Sequence, residues 1–219
     1  MPEYKNPLLA QVKEKQIFRT LEWQEFTYVI KDLQDENFKA LLVFAYLTGA
    51  RPAEIVRMTK ERFEIVGKQL RVRIPTVKGG YERLIIIPIC NPETMLLKQV
   101  IQKTVFPKEY VFELAKYKNP REIFIRRCNY YRLGLRDENG EFHPFTLYYF
   151  RHNIQTLLAM HGADFMLINY YVGKKLISLP KIYGTLPHYI HASLDLAKKA
   201  AKYLRKIMKG GENEQGKEV

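Results

Sequence analysis

Three short segments rich in β-branched residues interrupt a chain whose pattern is otherwise helical, and they constrain the fold most. The segments are RFEIV, QLRVRI and RLIIIPI, within residues 62–89. β-Branched side chains favour strands because they pack well on a pleated surface. Gly67 and Lys68 fit a turn between the first two segments, and PTVKGGYE fits a glycine-bearing hairpin loop before the third. We therefore expect an α+β fold, mostly α-helical, with one small three-stranded antiparallel sheet.

Helical patterns precede and follow the sheet segments. Thr20 fits the N-cap of a helix that reaches about Gln34, and Gly49 closes a second, largely buried helix. Proline suits the first turn of a helix, so Pro52 predicts a third helix in PAEIVRMTK. For the same reason the pair Asn91 and Pro92 predicts a fourth helix in PETMLLKQVIQKT.

The second half of the chain returns to helices after a turn-rich loop, RDENGEFHPF. The predicted helices cover TLYYFRHNIQTLLAMHG, a stretch that ends at Gly173, and the basic segment HASLDLAKKAAKYLRKIMK. We expect one domain over residues 20–209, which includes the basic C-terminal helix at 190–209. A polar arm or linker is predicted at 1–19 and a disordered tail at 210–219.

The chain carries no sequence feature of a membrane or secreted protein. No apolar run approaches the length of a membrane span, and the N-terminus lacks the order of a signal peptide. Cys90 and Cys128 form no CxxC pair, so we expect two buried thiols in a reducing cytoplasm.

The net charge of +13, from 36 Lys and Arg against 23 Asp and Glu, points to a polyanionic partner. An anionic membrane would require an amphipathic segment with exposed aromatic residues, and the sequence offers none that is clear. Nucleic acid is therefore the expected partner, with no membrane. The alternative is a charge that only keeps an ordinary enzyme soluble.

Two arginines occupy positions suited to binding an anion. In the helix after Thr146, Tyr148, Arg151 and Gln155 share an edge of the face expected to be buried. That face consists of Leu147, Phe150, Ile154, Leu157 and Leu158. Arg51 lies at the sharp turn between the second and third helices, where Glu54 can orient it. Taken alone, each arginine equally fits an ordinary surface residue or a surface salt bridge.

Four motifs occur in the order found in the catalytic domain of tyrosine recombinases, the phage-integrase and Xer family. They are TGARPAEI, VKGGYERLIIIP, FRHN and VGKKLISLPKIYG. Arg151 follows Arg51 by 100 residues, and Tyr183 follows Arg151 by 32, intervals similar to those of the family. The resemblance covers roughly residues 20–190 and implies the tyrosine recombinase catalytic-domain fold.

The resemblance implies that the hydroxyl of Tyr183 attacks a DNA phosphodiester and forms a 3′-phosphotyrosyl bond, without metal, other cofactor or ATP. It assigns Arg51 and Arg151 to the non-bridging oxygens of the transition state, and Lys78 to protonation of the leaving oxygen. Without the resemblance, Tyr183 fits a half-buried aromatic residue near a proline turn. Lys78 alone fits a contact with the DNA backbone.

Two positions depart from the family pattern. Tyr148 stands where many relatives have histidine, and Lys174 stands where they usually have histidine or tryptophan. Both can donate hydrogen bonds to phosphate, but the ordinary pKa of tyrosine makes Tyr148 a poor general base. Some archaeal virus-type integrases resemble this chain in lacking that first histidine. The residue that accepts the proton of Tyr183 is left open, and His152, which points away on the helix, is expected to be structural.

The resemblance further implies that the partner is double-stranded DNA and that the chain assembles on it. Arg83, Lys175 and Lys181 are expected to contact DNA. We expect a tetramer in the synapse, a monomer or weak oligomer in solution, and a nucleoid-associated cytoplasmic location. The preferred hypothesis for the last helix is packing on a neighbouring subunit, and the alternative is that it completes this chain's own core.

Three functions are compatible with these features. The first is a site-specific recombinase or integrase. The second is cleavage and resealing alone, as in type IB topoisomerases, and the third is a DNA-binding accessory without catalysis. Only about twenty residues precede the first helix, where relatives usually carry a separate helical domain. The sequence is therefore expected to be either a catalytic domain of a longer or split protein or a short member of the family.

Overall fold

The predicted three-stranded sheet is present. The computed structural model describes residues 19–75, 82–113, 120–136, 139–174 and 186–210. Strands β1 (Phe63–Val66), β2 (Gln69–Ile74) and β3 (Arg83–Pro88) pair antiparallel in the order β1-β2-β3. Gly67 makes the first turn with a φ of 56°. The second loop, the expected arm and the expected tail beyond Gly210 lie outside the described residues.

Helices surround this sheet and make up most of the described structure, which confirms the mostly helical α+β class. None of the helices in the described ranges is both long and apolar enough to cross a membrane. The helices are α1 (Trp23–Ile30), α2 (Glu36–Thr48), α3 (Pro52–Ile55), α4 (Pro92–Lys103), α5 (Pro120–Tyr130), α6 (Tyr149–Met160), α7 (Phe165–Tyr171) and α8 (Leu186–Lys209).

Helix α2 is the centre of the core. Asp35 caps its start, where the side chain accepts a hydrogen bond of 2.9 Å from the Phe38 amide. Gly49 ends it as predicted, in the left-handed conformation with a φ of 58°. Every residue from Ala40 to Ala50 is buried, because α4 and α6 pack against this helix. A helix that is apolar all round fits such an enclosed position.

A buried polar contact joins the first segment of the domain to α6. The amide of Leu21 donates to Asn153 at 2.7 Å, and Asn153 donates back to the Leu21 carbonyl at 2.9 Å. The Tyr46 hydroxyl donates to the same carbonyl at 2.7 Å. Beneath them Phe26 stacks on Tyr46 with ring centroids 4.3 Å apart. These contacts satisfy the backbone hydrogen-bonding groups of the buried residue Leu21 and fix α6 against α2.

Several helix boundaries differ from the predictions, and the last helix starts at Leu186, before the predicted range of 190–209. Helix α1 starts at Trp23 after the N-cap Glu22, because the Thr20 hydroxyl bonds the Glu22 carboxylate instead of capping the helix. It also ends earlier, at Ile30. Helix α3 stops at Ile55 because the loop after α4 takes the following backbone groups, with the Val111 amide donating to the Met58 carbonyl at 2.9 Å.

A helix and a hairpin between α4 and α6 were missed. Helix α5 was not predicted, and the described part of the chain contains a second sheet, a hairpin of β4 (Gly134–Arg136) and β5 (Phe142–Pro144). The expectation of one sheet was therefore wrong. Strands of three residues are too short to show an alternating pattern in the sequence.

The last helix packs on its own chain. Helix α8 lies along β3, where Ala197 and Ala201 are buried against Ile86. Leu204 and Ile207 enter the main core. The preferred hypothesis of packing on a neighbouring subunit is corrected, because the apolar face of the helix is already buried in cis.

The two cysteines differ in exposure. Cys128 is buried, as expected, whereas Cys90 is exposed at the end of β3 and corrects the expectation of two buried thiols. Both are free thiols, and burial raises the pKa of Cys128 well above its usual range.

We predict that Gly49→Ala is much more destabilising than Gly67→Ala. Both glycines have a positive φ, which costs a residue with a Cβ about 1–2 kcal/mol. A Cβ at position 49 would also lie 2.7 Å from Ile154 Cγ2, whereas one at position 67 meets nothing within 4 Å. We expect a loss of about 3 kcal/mol for Gly49→Ala and about 1 kcal/mol for Gly67→Ala, measured by urea denaturation. Equal losses in the two variants would contradict the close approach of α2 to α6.

Candidate active site

Arg51 lies at the corner between α2 and α3 and is held by one carboxylate. Its Nη1 donates to Glu54 Oε1 at 2.8 Å, and its backbone amide donates to Glu54 Oε2 at 2.9 Å. The Arg51 side chain is 30% exposed, while the Glu54 side chain is fully buried. The predicted contact between Glu54 and Arg51 is therefore present. The guanidinium of Arg51 lies at the rim of the site, whereas the carboxylate that holds it lies inside the protein.

Glu54 also binds Arg83, the first residue of β3. Arg83 Nη2 donates to Glu54 Oε2 at 2.9 Å, and the Arg83 side chain is 1% exposed. The expected contact between Arg83 and DNA is therefore contradicted, because the guanidinium is enclosed within the protein. Strand β3 is covered on both faces by the core and by α8, so its first side chain points inward.

The charge of Glu54 is maintained by these arginines. Burial by itself would raise the pKa of Glu54, but the hydrogen bonds and charges of Arg83 and Arg51 outweigh burial and lower it. Glu54 is therefore an ionised carboxylate inside the protein, as a buried acceptor of charged hydrogen bonds must be.

Arg151 on α6 reaches the same corner from the other side. Its Nη1 donates to the Gly49 carbonyl at 3.1 Å, and its Nη2 donates to the Val172 carbonyl after α7. The side chain is 5% exposed, so the alternative of an ordinary surface arginine is excluded. The core face predicted for this helix is confirmed, since Leu147, Phe150, Ile154, Leu157 and Leu158 are all buried.

The arginines act on one another electrostatically. The pKa of Arg151 falls to about 10, first because of burial and then because of the nearby charges of Arg51 and Arg83. Two guanidinium groups thus bind the carboxylate of Glu54, and the third, that of Arg151, interacts with it electrostatically. Such a corner carries excess positive charge and is suited to an anion.

Two further predicted residues border the corner. Tyr148 lies one turn before Arg151, is 55% exposed, and interacts electrostatically with its guanidinium. Lys174 is exposed two residues after Val172, and its amide donates to the Asn169 carbonyl at 2.9 Å. The structure therefore brings Arg51, Glu54, Tyr148 and Arg151 together, with the backbone of Lys174 beside them.

His152 borders this group, and its structural role stays a prediction. It is exposed, and its ring makes an edge contact with Tyr148 at a centroid distance of 5.5 Å. Other predicted site residues cannot be placed, since Lys78, Lys175, Lys181 and Tyr183 lie outside the described residues. Within the described ranges, the structure has no cluster of His, Cys, Asp and Glu that could hold a metal ion.

Sequence reasoning missed the pairing of Arg83 with Glu54. The signal was the run of isoleucines that follows Arg83, because a continuous apolar strand is buried on both faces. An arginine at the start of such a strand needs an internal carboxylate, and Glu54 is that group.

Comparison with solved structures identifies the fold. The chain is similar to the integrase of mycobacterium phage Brujita, with a TM-score of 0.54 and 13% identity over 93% of this chain and 63% of that chain. It is also similar to the XerH site-specific recombinase bound to its difH substrate, with a TM-score of 0.53 and 19% identity over 78% of this chain and 51% of that one. The predicted tyrosine recombinase catalytic-domain fold is confirmed.

Sequence relatives agree with this fold. The tyrosine recombinase XerD of Shewanella oneidensis is 31% identical over 157 residues, which are 66% of this chain and 48% of that protein. XerD of Vibrio vulnificus is 28% identical over 155 residues, covering 66% and 47%. The chain thus spans about half the length of the curated relatives it matches. A sequence model of the phage integrase family matches residues 15–188, well over half of the chain. The chain therefore belongs to the phage integrase family, as its four motifs predicted.

Proposed function

We propose that this chain is the catalytic domain of a site-specific DNA recombinase, with Tyr183 as the nucleophile and residues 20–209 as the domain. The observation that carries the proposal is the meeting of Arg51 and Arg151 at one corner. Arg151 binds the Gly49 carbonyl, two residues before Arg51, so both guanidinium groups belong to one rigid unit. The segments that supply them are 100 residues apart in the sequence.

This pair suits phosphoryl transfer. Attack of a tyrosine hydroxyl on a phosphodiester places negative charge on the non-bridging oxygens of the transition state. Arginine offers planar, permanently charged donors, and here each guanidinium is already oriented by protein groups. Little reorganisation is then needed when the charge develops. The phosphotyrosyl ester retains the energy of the broken bond, so rejoining needs no ATP, and the mechanism invokes no metal.

The remaining roles follow from position. Lys78 protonates the leaving 5′-oxygen, and Tyr148 and Lys174 donate hydrogen bonds to the phosphate in place of the usual histidine or tryptophan. The exposure of Tyr148 supports its role, because the residue is open to solvent and lies within electrostatic reach of Arg151.

The basic face of α8 supports DNA as the substrate. The exposed residues between Leu196 and Lys209 are all lysine or arginine: Lys198, Lys199, Lys202, Arg205, Lys206 and Lys209. We call these residues the basic stripe. The opposite face of the helix is buried, so the stripe is held on the surface of the domain. The solved XerH site-specific recombinase is bound to its difH substrate, and we propose that this chain binds DNA, with Lys175 and Lys181 as further contacts.

Assembly belongs to the same proposal. We propose that the chain self-associates on DNA, as a tetramer in the synapse and as a monomer or weak oligomer when free, at the cytoplasmic nucleoid.

We predict that Tyr183→Phe abolishes a covalent protein–DNA adduct because the substitution removes only the attacking oxygen. The assay uses nicked suicide duplexes of randomised sequence, with adducts counted on denaturing gels. Tyr110→Phe is the matched control, since Tyr110 is exposed on the loop after α4.

Wild-type protein without an adduct but with DNA binding would support the accessory without catalysis instead. Relaxation of supercoiled plasmid with no preference for sequence would favour the cleavage-and-resealing enzyme.

We predict that Arg51→Lys slows adduct formation about a hundredfold, equivalent to about 3 kcal/mol, because lysine lacks the planar fork. The dissociation constant for DNA should change less than about threefold, since one phosphate contact persists. Rates come from single-turnover trapping at saturating protein.

Arg62→Lys is the control, because Arg62 also binds a glutamate at 2.9 Å, Glu82, and has a similarly exposed side chain. Equal losses of rate in Arg51→Lys and Arg62→Lys would show that Arg51 has no specific role in catalysis.

We predict that DNA binding weakens steeply with salt and that the basic stripe accounts for part of this slope. Substitution of Lys202, Arg205, Lys206 and Lys209 by glutamine should reduce the slope of log K against log salt by about 2–4, since each lost phosphate contact contributes about 0.9. Fluorescence anisotropy of a labelled duplex measures it.

The control substitutes Lys31, Lys39, Lys98 and Lys103 on α1, α2 and α4 and their flanks, which changes the net charge equally. The same reduction in both variants would indicate a general charge effect and no specific surface.

A further inference from the structure

The carboxylate of Glu54 is shared by two arginines with different exposure. Its Oε1 accepts from Arg51 Nη1 at 2.8 Å, and its Oε2 accepts from the Arg51 amide and from Arg83 Nη2, both at 2.9 Å. Arg51 reaches the rim of the site, whereas Arg83 is enclosed. Any displacement of the carboxylate is therefore transmitted to the backbone and the side chain of Arg51.

Arg83 is the fixed end of the hydrogen-bonded series Arg83–Glu54–Arg51. It pairs with Ile74 in the sheet, and the next residue, Leu84, is held by the Tyr170 hydroxyl. That hydroxyl accepts from the Leu84 amide at 3.2 Å and lies 3.0 Å from the Leu84 carbonyl and 3.1 Å from the Ser193 carbonyl. Elements β2, α7 and α8 thus fix the start of β3. Glu54 is the hydrogen-bond partner of the Arg83 side chain, whose Nε and Nη1 have no partner in the described part of the chain.

A purely structural role explains this arrangement poorly. A buried ion pair is often no better for stability than apolar residues of similar volume, because both charges lose their hydration. Two unpartnered donor atoms add to that cost. The arrangement is explained if the position of the Glu54 carboxylate matters for function. That position fixes the guanidinium of Arg51.

We propose that Arg83 is a positioning residue for the cleavage site, which acts through Glu54 to fix the guanidinium of Arg51 and does not itself touch DNA. The inference rests on the proposed function for its effect on the reaction rate. The link from Arg83 to Arg51 is a property of the protein alone and can be measured without DNA.

A pH dependence follows from the groups that face Glu54. Arg51 faces it from the same turn, Arg83 from β3 and Arg151 from α6, while Tyr170 and Tyr171 of α7 face Arg83. With Arg83 present, the pKa of Glu54 is low and the carboxylate is charged at neutral pH. Without Arg83, burial is opposed less, so the pKa of Glu54 rises. The connection to Arg51 is then lost as the pH falls through the raised pKa.

The test compares Arg83→Gln, Arg83→Lys and wild type. Arg71→Gln is the matched control, because Arg71 lies on the same sheet, also has a buried Nε without a partner, and pairs with Glu64 away from the site. Carboxyl ¹³C NMR follows the titration of Glu54, which is assigned by its absence in Glu54→Gln. Side-chain ¹⁵N NMR follows the restricted rotation of the Arg51 guanidinium. Single-turnover adduct formation on the nicked duplexes gives rate against pH.

We expect Arg83→Gln to raise the pKa of Glu54, to release the rotation of Arg51, and to lower the rate at least about tenfold, with a loss that grows as the pH falls. Arg83→Lys keeps the charge and should restore the wild-type titration and most of the rate. Arg71→Gln should change none of these. If Arg83→Gln does not fold, Arg83→Met, which retains the apolar stem, replaces it.

An unchanged Glu54 titration and unchanged Arg51 rotation in the variant lacking the Arg83 charge would overturn the inference, whatever the rate. A parallel loss of rate at every pH, not restored by Arg83→Lys, would also overturn it. Altered NMR signals in a protein that forms no adduct even as wild type would instead support the positioning link and refute the proposed function.

Discussion

The guanidinium of Arg151 is the contact on which the site depends. It donates to the carbonyl that closes α2 and to the carbonyl that follows α7, so one side chain of α6 joins the ends of two other helices. The approach is close enough that a Cβ on Gly49 would contact Ile154. Both carbonyls lie at helix ends, where the backbone lacks intrahelical donors and a cationic group is favoured. The packing of the helices and the electrostatic preference of their ends therefore favour the same position for the Arg151 guanidinium.

The elements that were predicted correctly are those whose bounds depend on residues close together in the sequence. The β-branched segments with a glycine turn gave the sheet, and Gly49 and Asn91 marked helix ends that the structure confirms. The core face of α6 followed from its helical period. The start of α1 was wrong because Thr20 has a competing side-chain partner, and the β4–β5 hairpin was missed because its strands are too short for a pattern. Glu22 is only two residues from Thr20, yet the sequence alone does not show which of the two hydrogen bonds forms.

The candidate site likewise contains contacts that the sequence predicted and contacts that it did not. The contact of Arg51 with Glu54 could be predicted because the residues are one helical turn apart. Arg83 was assigned to DNA from the resemblance, although the isoleucines that follow it indicate a strand buried on both faces, and the cover of α8 over β3 shows that its side chain is internal. Likewise, an amphipathic basic helix fits a neighbouring subunit or its own core equally well. The choice depends on whether its own domain offers an apolar surface, and here Ile86 and the main core provide one.

The enclosure of α2 has a consequence for motion. Amide groups in a helix without an exposed face exchange with solvent only through large opening events, which are rare in a stable domain. The corner that bears Arg51 is attached to the end of this helix and is clasped there by Arg151. Fluctuations of the peripheral hairpin or of the surface lysines need not disturb it. The corner is therefore anchored to an enclosed helix, and its shape should persist whether or not the proposed DNA substrate is bound.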